Sequence, residues 1–229
     1  MRRPHALPAA ALMLLVAGCF GDDGSDSGDP AERLAQAKRA MDDAASIEFR
    51  LSTDELPDGV DGVLEADGVG THDPAFRGTI TVRAVGLPGE PEVQVVAVED
   101  AVYAQLPFVG AYQQVDPADY GAPDPAALMD PETGLSSLLT AATDVSVQGQ
   151  SRDGDEVLTE LSGTVPGKAM AEVFPTADRG GEFPATFRVA DDDELDTATL
   201  TGPFYGDAGD VTYQVTLEAS GDPVEITAP

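Results

Sequence analysis

The chain has 229 residues, of which 42 are acidic and 12 basic, and its formal net charge is -30. This balance excludes nucleic acid as a partner, because phosphate groups require Lys and Arg. It also excludes attachment to anionic lipid through a basic patch. The acidic side chains are mostly scattered along the sequence, which indicates a solvated surface and favours a monomer.

The first 18 residues have the layout of a secretory signal peptide. A basic start, MRRPH, precedes the apolar run ALPAAALMLLVA, which is too short to cross a ~30 Å hydrocarbon core. The run ends in Val16-Ala17-Gly18-Cys19. This stretch resembles the bacterial lipobox, in which the cysteine thiol receives a diacylglycerol before cleavage on its amino side. We therefore predict a signal peptide at 1–18 and lipidation of Cys19; the alternative is a signal peptide that contains a spare thiol.

Residues 19–29 are predicted to form a flexible tether. After Phe20 they are Gly, Asp and Ser, a composition that buries too little apolar surface to fold by itself. About ten residues reach at most roughly 35 Å when extended. Cys19 is the only cysteine of the chain, so it has no partner for an internal disulfide. The remaining residues, 30–229, fit a single domain.

An amphipathic helix is predicted over about 30–45. Asp29 is placed to cap it, and Pro30 stands at the first helical position. The apolar residues at near-helical spacing are Leu34, Ala37, Met41 and Ala44. The helix therefore has one face to bury.

After this helix the apolar period changes to two, which is typical of antiparallel strands with one buried face. The alternating runs begin at Ile47, Ile80, Val157 and Val211. Two further segments, 93–98 and 102–108, are apolar on both faces. We predict them at the middle of a curved sheet, covered on both sides and joined by a tight hairpin at Glu99-Asp100.

Short helices are predicted in the middle of the chain. Asp124-Pro125 and Asp130-Pro131 each place a capping carboxylate before a proline, which predicts a helical turn carrying Leu128 and Met129. A second helix is predicted from the spacing of Leu135, Leu138, Leu139 and Ala142, and a third over 167–174.

The order helix, strands, helices, strands, helix, strands predicts an α+β fold. Nine to eleven strands would form one strongly curved antiparallel sheet, whose concave face the helices cover. Apolar strands facing apolar helices make either a packed core or a core that contains a slot, and the pattern alone leaves both open.

The sequence offers no recognisable catalytic, metal or cofactor site. His72 lies in the loop-like stretch GVGTHDPAF and is predicted to be a surface turn residue. The Ser136-Ser137 pair is not part of a Gly-x-Ser-x-Gly motif, and no phosphate-binding glycine loop is present. We therefore predict a protein that is not an enzyme and has no cofactor or metal.

Three stretches resemble the LppX/LprA/LprF/LprG family of lipoproteins from mycobacteria and related actinobacteria. They are PAFRGTITV (74–82), VYAQLPF (102–108) and VDPADYGAPDPAALMDPETGLSSLL (115–139). The resemblance spans the whole mature domain. It implies a U-shaped half-barrel similar to the lipoprotein carriers LolA and LolB, with helices closing its concave side.

The resemblance further implies a hydrophobic cavity for acyl chains of envelope lipids: phthiocerol dimycocerosates, triacylglycerol, or acylated phosphatidylinositol mannosides and lipoglycans. From sequence alone the candidate residues would be assigned to an ordinary core, and the resemblance favours a cavity for the set. They are Ile80, Val82, Val95, Ala97, Val102, Leu106, Leu135, Leu138 and Leu139. In particular, Val82 and Leu138 are predicted to face each other across the slot.

The predicted function is therefore that of a lipoprotein anchored to the outer face of the cytoplasmic membrane through an N-terminal diacylglycerol. It would carry lipids or acylated glycolipids toward the outer envelope, with a lipid transporter as a further candidate partner. The alternative is a scaffold without lipid, which recruits an export partner through its acidic surface.

Replacement of the single thiol tests the predicted anchor. Cys19→Ala should abolish acyl attachment and leave the signal peptide uncleaved by the lipoprotein peptidase, because both steps require that cysteine. Metabolic labelling with an alkyne fatty acid measures the attachment. Label that persists on the substituted protein would contradict lipidation at this position.

Overall fold

The computed structural model of the protein describes residues 28–84, 89–107 and 109–229. Within these ranges one antiparallel sheet contains eleven strands. The strands are β1 (Ser46–Ser52), β2 (Gly62–Thr71), β3 (Ala75–Arg83), β4 (Glu92–Val98), β5 (Ala101–Gln105), β6 (Gln113–Val115), β7 (Thr143–Asp153), β8 (Glu156–Pro166), β9 (Glu182–Ala190), β10 (Leu195–Gly202) and β11 (Val211–Ser220). The α-helices are α1 (Pro30–Asp43), α2 (Ser137–Ala141) and α3 (Gly167–Val173), and short 3₁₀ helices span Pro117–Tyr120, Ala127–Met129 and Gly206–Ala208. The second of these is the predicted helical turn that carries Leu128 and Met129.

The strands follow the order β6-β5-β4-β3-β2-β1-β11-β10-β9-β8-β7 across an open, curved sheet. The first and last strands of the chain, β1 and β11, pair at its middle, with Phe49 opposite Leu217. In β1 the side chains of Ile47, Phe49 and Leu51 are buried, while Glu48 and Arg50 are exposed. The predicted α+β architecture is confirmed, and so is the alternation of buried and exposed residues from which the strands were predicted.

The prediction that 93–98 and 102–108 lie at the middle of the sheet is wrong. They form β4 and β5, the third and second strands from one edge. Both faces are nevertheless covered, because Val96 and Val98 pack with Ala75 on the outer face under Tyr103, Tyr112 and Ile226. Ile226 belongs to the C-terminal segment after β11, whose contact with β4 was not visible in the local pattern.

The hairpin between β4 and β5 has the predicted position. Glu99 and Asp100 have positive φ angles of 52° and 63°, the conformation that a two-residue turn needs to match the twist of its strands. Strand β5 ends at Gln105, so Leu106 lies in the following loop.

Helix α1 begins and is capped as predicted, and ends at Asp43 rather than near 45. The Asp29 carboxylate accepts a hydrogen bond from the Ala31 amide at 3.0 Å, and the buried face consists of Leu34, Ala37 and Met41. The helix contacts α2 and strands β7, β9 and β10. None of the helices in the described ranges is long and apolar enough to cross a membrane.

Three Asp-Pro pairs shape the segment between β6 and α2. Asp116 and Asp124 each accept a hydrogen bond at 2.9 Å from the amide two residues later. Asp130 accepts from the amides of Glu132 and Thr133 at 2.8 Å, and the bond from the Thr133 amide holds the pKa of Asp130 below its usual value. We refer to residues 116–136 as the lid segment.

The predicted second helix is shorter than expected. Helix α2 spans Ser137–Ala141, and Leu135 precedes it. The Leu135 amide donates to the carbonyl of Leu128, and the Gly134 amide donates to that of Asp130. These bonds fold the chain back on the preceding turn, so the helix begins only after them. The third helix, α3, has the predicted place.

A buried arginine attaches α1 to the sheet. The Arg33 guanidinium donates to Thr159 Oγ1 at 2.8 Å and to the Ala190 carbonyl at 2.7 Å, and it pairs with Asp193. The Arg33 side chain is 12% exposed. These contacts hold the start of α1 against β8 and the turn between β9 and β10.

Arg33→Ala should lower the free energy of unfolding by about 1.5–3 kcal/mol, because it removes hydrogen bonds from a charged and largely buried group. Arg50→Ala is the matched control: Arg50 is 71% exposed and pairs with Asp67, and an exposed pair contributes less than about 1 kcal/mol. Urea unfolding of both variants provides the measurement. Equal losses would contradict the role assigned to Arg33.

Candidate functional site

An apolar pocket lies between the concave face of the sheet and the lid segment. Its volume is about 560 Å³, counting space open to solvent, and its wall is almost entirely apolar. The sheet side of the wall consists of Phe49, Leu51, Val63, Ala66, Phe76 and Ile80. The opposite side comes from Pro123, Pro125, Leu128 and Phe174.

A pair of tyrosines contributes hydroxyl groups to the wall of this first pocket. Tyr213 donates to the Val63 carbonyl at 2.6 Å, and its oxygen lies 2.7 Å from that of Tyr205. Since the Tyr213 proton is directed to the carbonyl, Tyr205 is the donor of the second bond. Burial raises the pKa of both hydroxyls, so both stay protonated at neutral pH.

A second apolar pocket adjoins the first. Its volume is about 490 Å³ on the same basis. The sheet side of its wall consists of Ile80, Val82, Val93, Val95, Val102 and Ala104. Ile80, Ala122, Pro123 and Pro125 line both pockets. The two spaces are therefore neighbouring chambers, which share one side of the lid segment.

Gly121 brings the lid segment close to the start of β2. Its φ angle is 65°, and a Cβ atom there would lie 2.3 Å from the Asp61 carbonyl oxygen. A side chain at this position would therefore push the lid segment away from the start of β2. Glycine satisfies both the left-handed backbone and the close approach.

The other end of the lid segment is held by polar contacts to α1. The Ser136 hydroxyl donates to Asp42 at 2.7 Å. Lys38 pairs with Asp42 and donates to the Pro131 carbonyl. Helix α1 and the end of the lid segment therefore form one hydrogen-bonded unit.

His72 adds to this attachment: it lies in a turn as predicted, but not on the open surface. It is half-buried, and its two ring nitrogens lie 2.8 Å from the carbonyl oxygens of Met129 and Met41. In either neutral tautomer one ring N–H donates to one of them. The imidazole thus links the last turn of α1 to the lid segment.

Five of the nine candidate cavity residues line the second pocket. They are Ile80, Val82, Val95, Val102 and Leu106. Ala97 is buried in the core without lining either apolar pocket. The contact of these candidate residues with a lipid stays a prediction.

The remaining three, Leu135, Leu138 and Leu139, are also buried without lining either pocket. Helix α2, which contains two of them, contacts α1, α3 and β8. The wall opposite Val82 instead consists of Pro117, Tyr120, Ala122, Pro123 and Pro125. The predicted pairing of Val82 with Leu138 is therefore not the geometry found.

The first pocket was not assigned from the sequence. Its aromatic wall combines residues from β1, β3, β11 and two loops, and the sequence spacing of those residues contains no sign that they meet. Pro123 and Pro125 lie within the stretch GAPDPAALM, where Asp124-Pro125 was interpreted only as a helix cap. Cys19 and the predicted signal peptide lie outside the described residues.

The LppX_LprAFG lipoprotein family model matches residues 29–226. The lipoarabinomannan carrier protein LprG of Mycolicibacterium hassiacum is 31% identical over 235 residues, which cover 99% of this chain and 98% of that protein.

Two crystal structures show the same fold. LprF from Mycobacterium bovis superimposes with a TM-score of 0.70 at 18% identity, covering 87% of this chain and 96% of that one. LppX from Mycobacterium tuberculosis superimposes with a TM-score of 0.63 at 20% identity, covering 86% and 98%.

Tryptophan substitutions distinguish the pocket wall from the packed core. Val82→Trp should leave the melting temperature within a few degrees of the parent, because the indole has adjoining space to enter. Leu138→Trp should cost about 1–3 kcal/mol, the usual effect of overpacking a filled interior. Thermal and urea unfolding of the delipidated proteins measure both. If Val82→Trp destabilises the protein as much as Leu138→Trp does, the second pocket is not available to a side chain.

Proposed function

Since the chain belongs to the LppX_LprAFG lipoprotein family, we propose that it is a membrane-anchored carrier of envelope lipids. It holds the acyl chains of a lipid or acylated glycolipid in the two adjoining pockets. The polar headgroup stays outside, and the protein moves the lipid toward the outer envelope. The lipoarabinomannan carrier LprG is similar along nearly its whole length, which supports an acylated envelope lipid as the cargo.

The observation that carries this proposal is the pair of carbon-lined chambers under the lid segment. Their walls are almost entirely apolar, and they share the lining of Ile80, Ala122, Pro123 and Pro125, which suits the mostly apolar lining typical of ligand pockets. Each methylene removed from water contributes about 0.8 kcal/mol. An acyl chain therefore gains much more from such a chamber than a polar ligand would.

The polar atoms of the wall support the same conclusion. The hydroxyls of Tyr205 and Tyr213 are joined to each other and to the Val63 carbonyl. Among the described residues, every buried side-chain nitrogen or oxygen has a hydrogen-bond partner. A polar headgroup inside the chambers would find few groups to replace the water it loses, at a cost of several kcal/mol. Only the apolar part of a ligand fits there.

Loading requires the pocket side of the lid segment to move. That side, residues 117–125, forms part of the wall of both chambers. The contacts to Lys38, Asp42 and His72 lie at the other end of the lid segment. The attached end keeps its place on α1 while residues 117–125 separate from the sheet. Carriage then consists of opening, entry of the chains and closure, with no covalent step.

The anchor places this carrier in the cell envelope. Membership in a lipoprotein family supports the lipidation of Cys19, and residues 19–29 then connect the acylated cysteine to α1. The domain works at the outer face of the cytoplasmic membrane, within reach of the tether. A lipid transporter in that membrane would deliver the cargo.

Neighbouring residues of β4 provide the test, since Val95 lines the second pocket and Val96 faces the outer cluster. The mature lipoprotein and its variants are purified from an actinobacterial host and examined by native mass spectrometry. The parent protein and Val96→Trp should retain bound lipid, whereas Val95→Trp should lose most of it, because the indole occupies the chamber.

Circular dichroism shows that each variant is folded before its lipid content is compared. If the parent protein is isolated without bound lipid, the proposed carrier function is wrong and the scaffold function is favoured. Equal lipid content in folded Val95→Trp and Val96→Trp would place the lipid elsewhere.

A further inference from the structure

The walls of the two chambers are partly exposed to solvent. Most of the lining side chains on the sheet are buried, whereas several of those on the connecting segments are at least partly exposed. The partly exposed ones lie in 115–123 and at Leu106, Thr176 and Tyr205. We call these positions the rim. A headgroup whose chains fill the chambers must lie beside it, because polar groups are excluded from the carbon-lined interior.

The rim is strongly acidic. Five carboxylates lie within two residues of its lining positions: Asp116, Asp119, Asp124, Asp178 and Asp207. No Lys or Arg occurs within the same distance of those positions in the sequence. The whole stretch between Arg83 and Arg152, which includes the lid segment, contains no basic residue.

The basic residues near this end do not offset the rim. Arg83 ends β3 and pairs with Glu90 at 2.8 Å, while it also donates to the Leu56 carbonyl. Arg179 is exposed and stands three residues after Thr176, but Asp178 adjoins it. The five carboxylates outnumber this arginine, so an anionic headgroup at the rim meets an excess of like charge.

We propose that this rim makes the carrier selective for lipids whose headgroup has no net negative charge. The inference rests on the proposed function, because it assumes that the chambers hold acyl chains. Neutral diacyl lipids and uncharged glycolipids pass the rim without a Coulombic cost. Lipids with a phosphate monoester or diester, including the phosphatidylinositol-based ones among the ligands that the family resemblance implies, are disfavoured, because like charges repel and salt screens them fully only beyond a Debye length of ~8 Å.

A competition between two lipids with the same chains tests the selectivity. The mature lipoprotein is incubated in detergent micelles that contain equal amounts of dioleoylglycerol and dioleoylphosphatidylglycerol, and native mass spectrometry resolves the two adducts. We expect the neutral adduct to exceed the anionic one roughly five- to tenfold at low salt. The ratio should fall toward one at high salt, which screens exposed charges.

Two variants with the same change in net charge locate the effect. In the rim variant four carboxylates are replaced: Asp116→Asn, Asp119→Asn, Asp124→Asn and Asp207→Asn. The control variant changes turns at the opposite ends of the strands: Asp153→Asn, Asp155→Asn, Asp191→Asn and Asp192→Asn. Asparagine keeps the side-chain oxygen that caps the turns at 116 and 124, so both variants should fold. The adduct ratio should approach one only in the rim variant.

Each outcome has a distinct meaning. If neither lipid binds the parent protein, the proposed carrier function fails. If both lipids bind equally at low salt, the proposed carrier function is supported and the proposed selectivity is wrong. An equal change of the ratio in the rim and control variants would attribute the preference to the total charge and overturn the role of the rim. A preserved neutral adduct in the rim variant shows that its chambers are intact.

Discussion

A curved sheet with one apolar face must have that face covered, and the cover determines whether the interior is filled. Here the cover over the chambers is the proline-rich part of the lid segment. Proline has no N–H, so Pro117, Pro123 and Pro125 present no backbone donor that would need a partner inside the protein. An irregular chain can therefore lie over a carbon-lined space without leaving buried donors unpaired. A helix of bulky side chains in the same place would fill the space instead.

The two ends of the lid segment are held differently, because its polar contacts to helix α1 and His72 are concentrated near its last residues. Lys38, Asp42 and Ser136 join its last residues to α1, and His72 joins Met129 to Met41. Helix α1 is in turn held against the sheet by Arg33. The pocket side contributes mainly apolar contacts, which are non-directional and which the acyl chains of a ligand would replace in the proposed function. On that proposal, this division gives the protein a stable domain with one wall that opens.

Several of the few basic residues of this acidic chain join neighbouring elements of the fold. Arg33, Arg83 and Arg188 each pair with a carboxylate and donate to a second group on a neighbouring element. Most of the acidic side chains face solvent or cap turns, where they maintain repulsion between molecules. The family fold seen in LprF and LppX is compatible with this charge, because the core and the chambers are apolar.

The sequence by itself determined the local elements. Asp29-Pro30 placed the start of α1, the period of two placed the strands, and Glu99-Asp100 placed a hairpin, because each depends on residues close together in the chain. Only the tertiary structure decided where β4 and β5 lie in the sheet, since the cover on their outer face comes from Ile226. It also decided that Val82 borders a chamber while Leu138 belongs to the packed core. Periodicity shows which side of an element is buried, but whether the space beyond it is filled depends on side chains from distant parts of the chain.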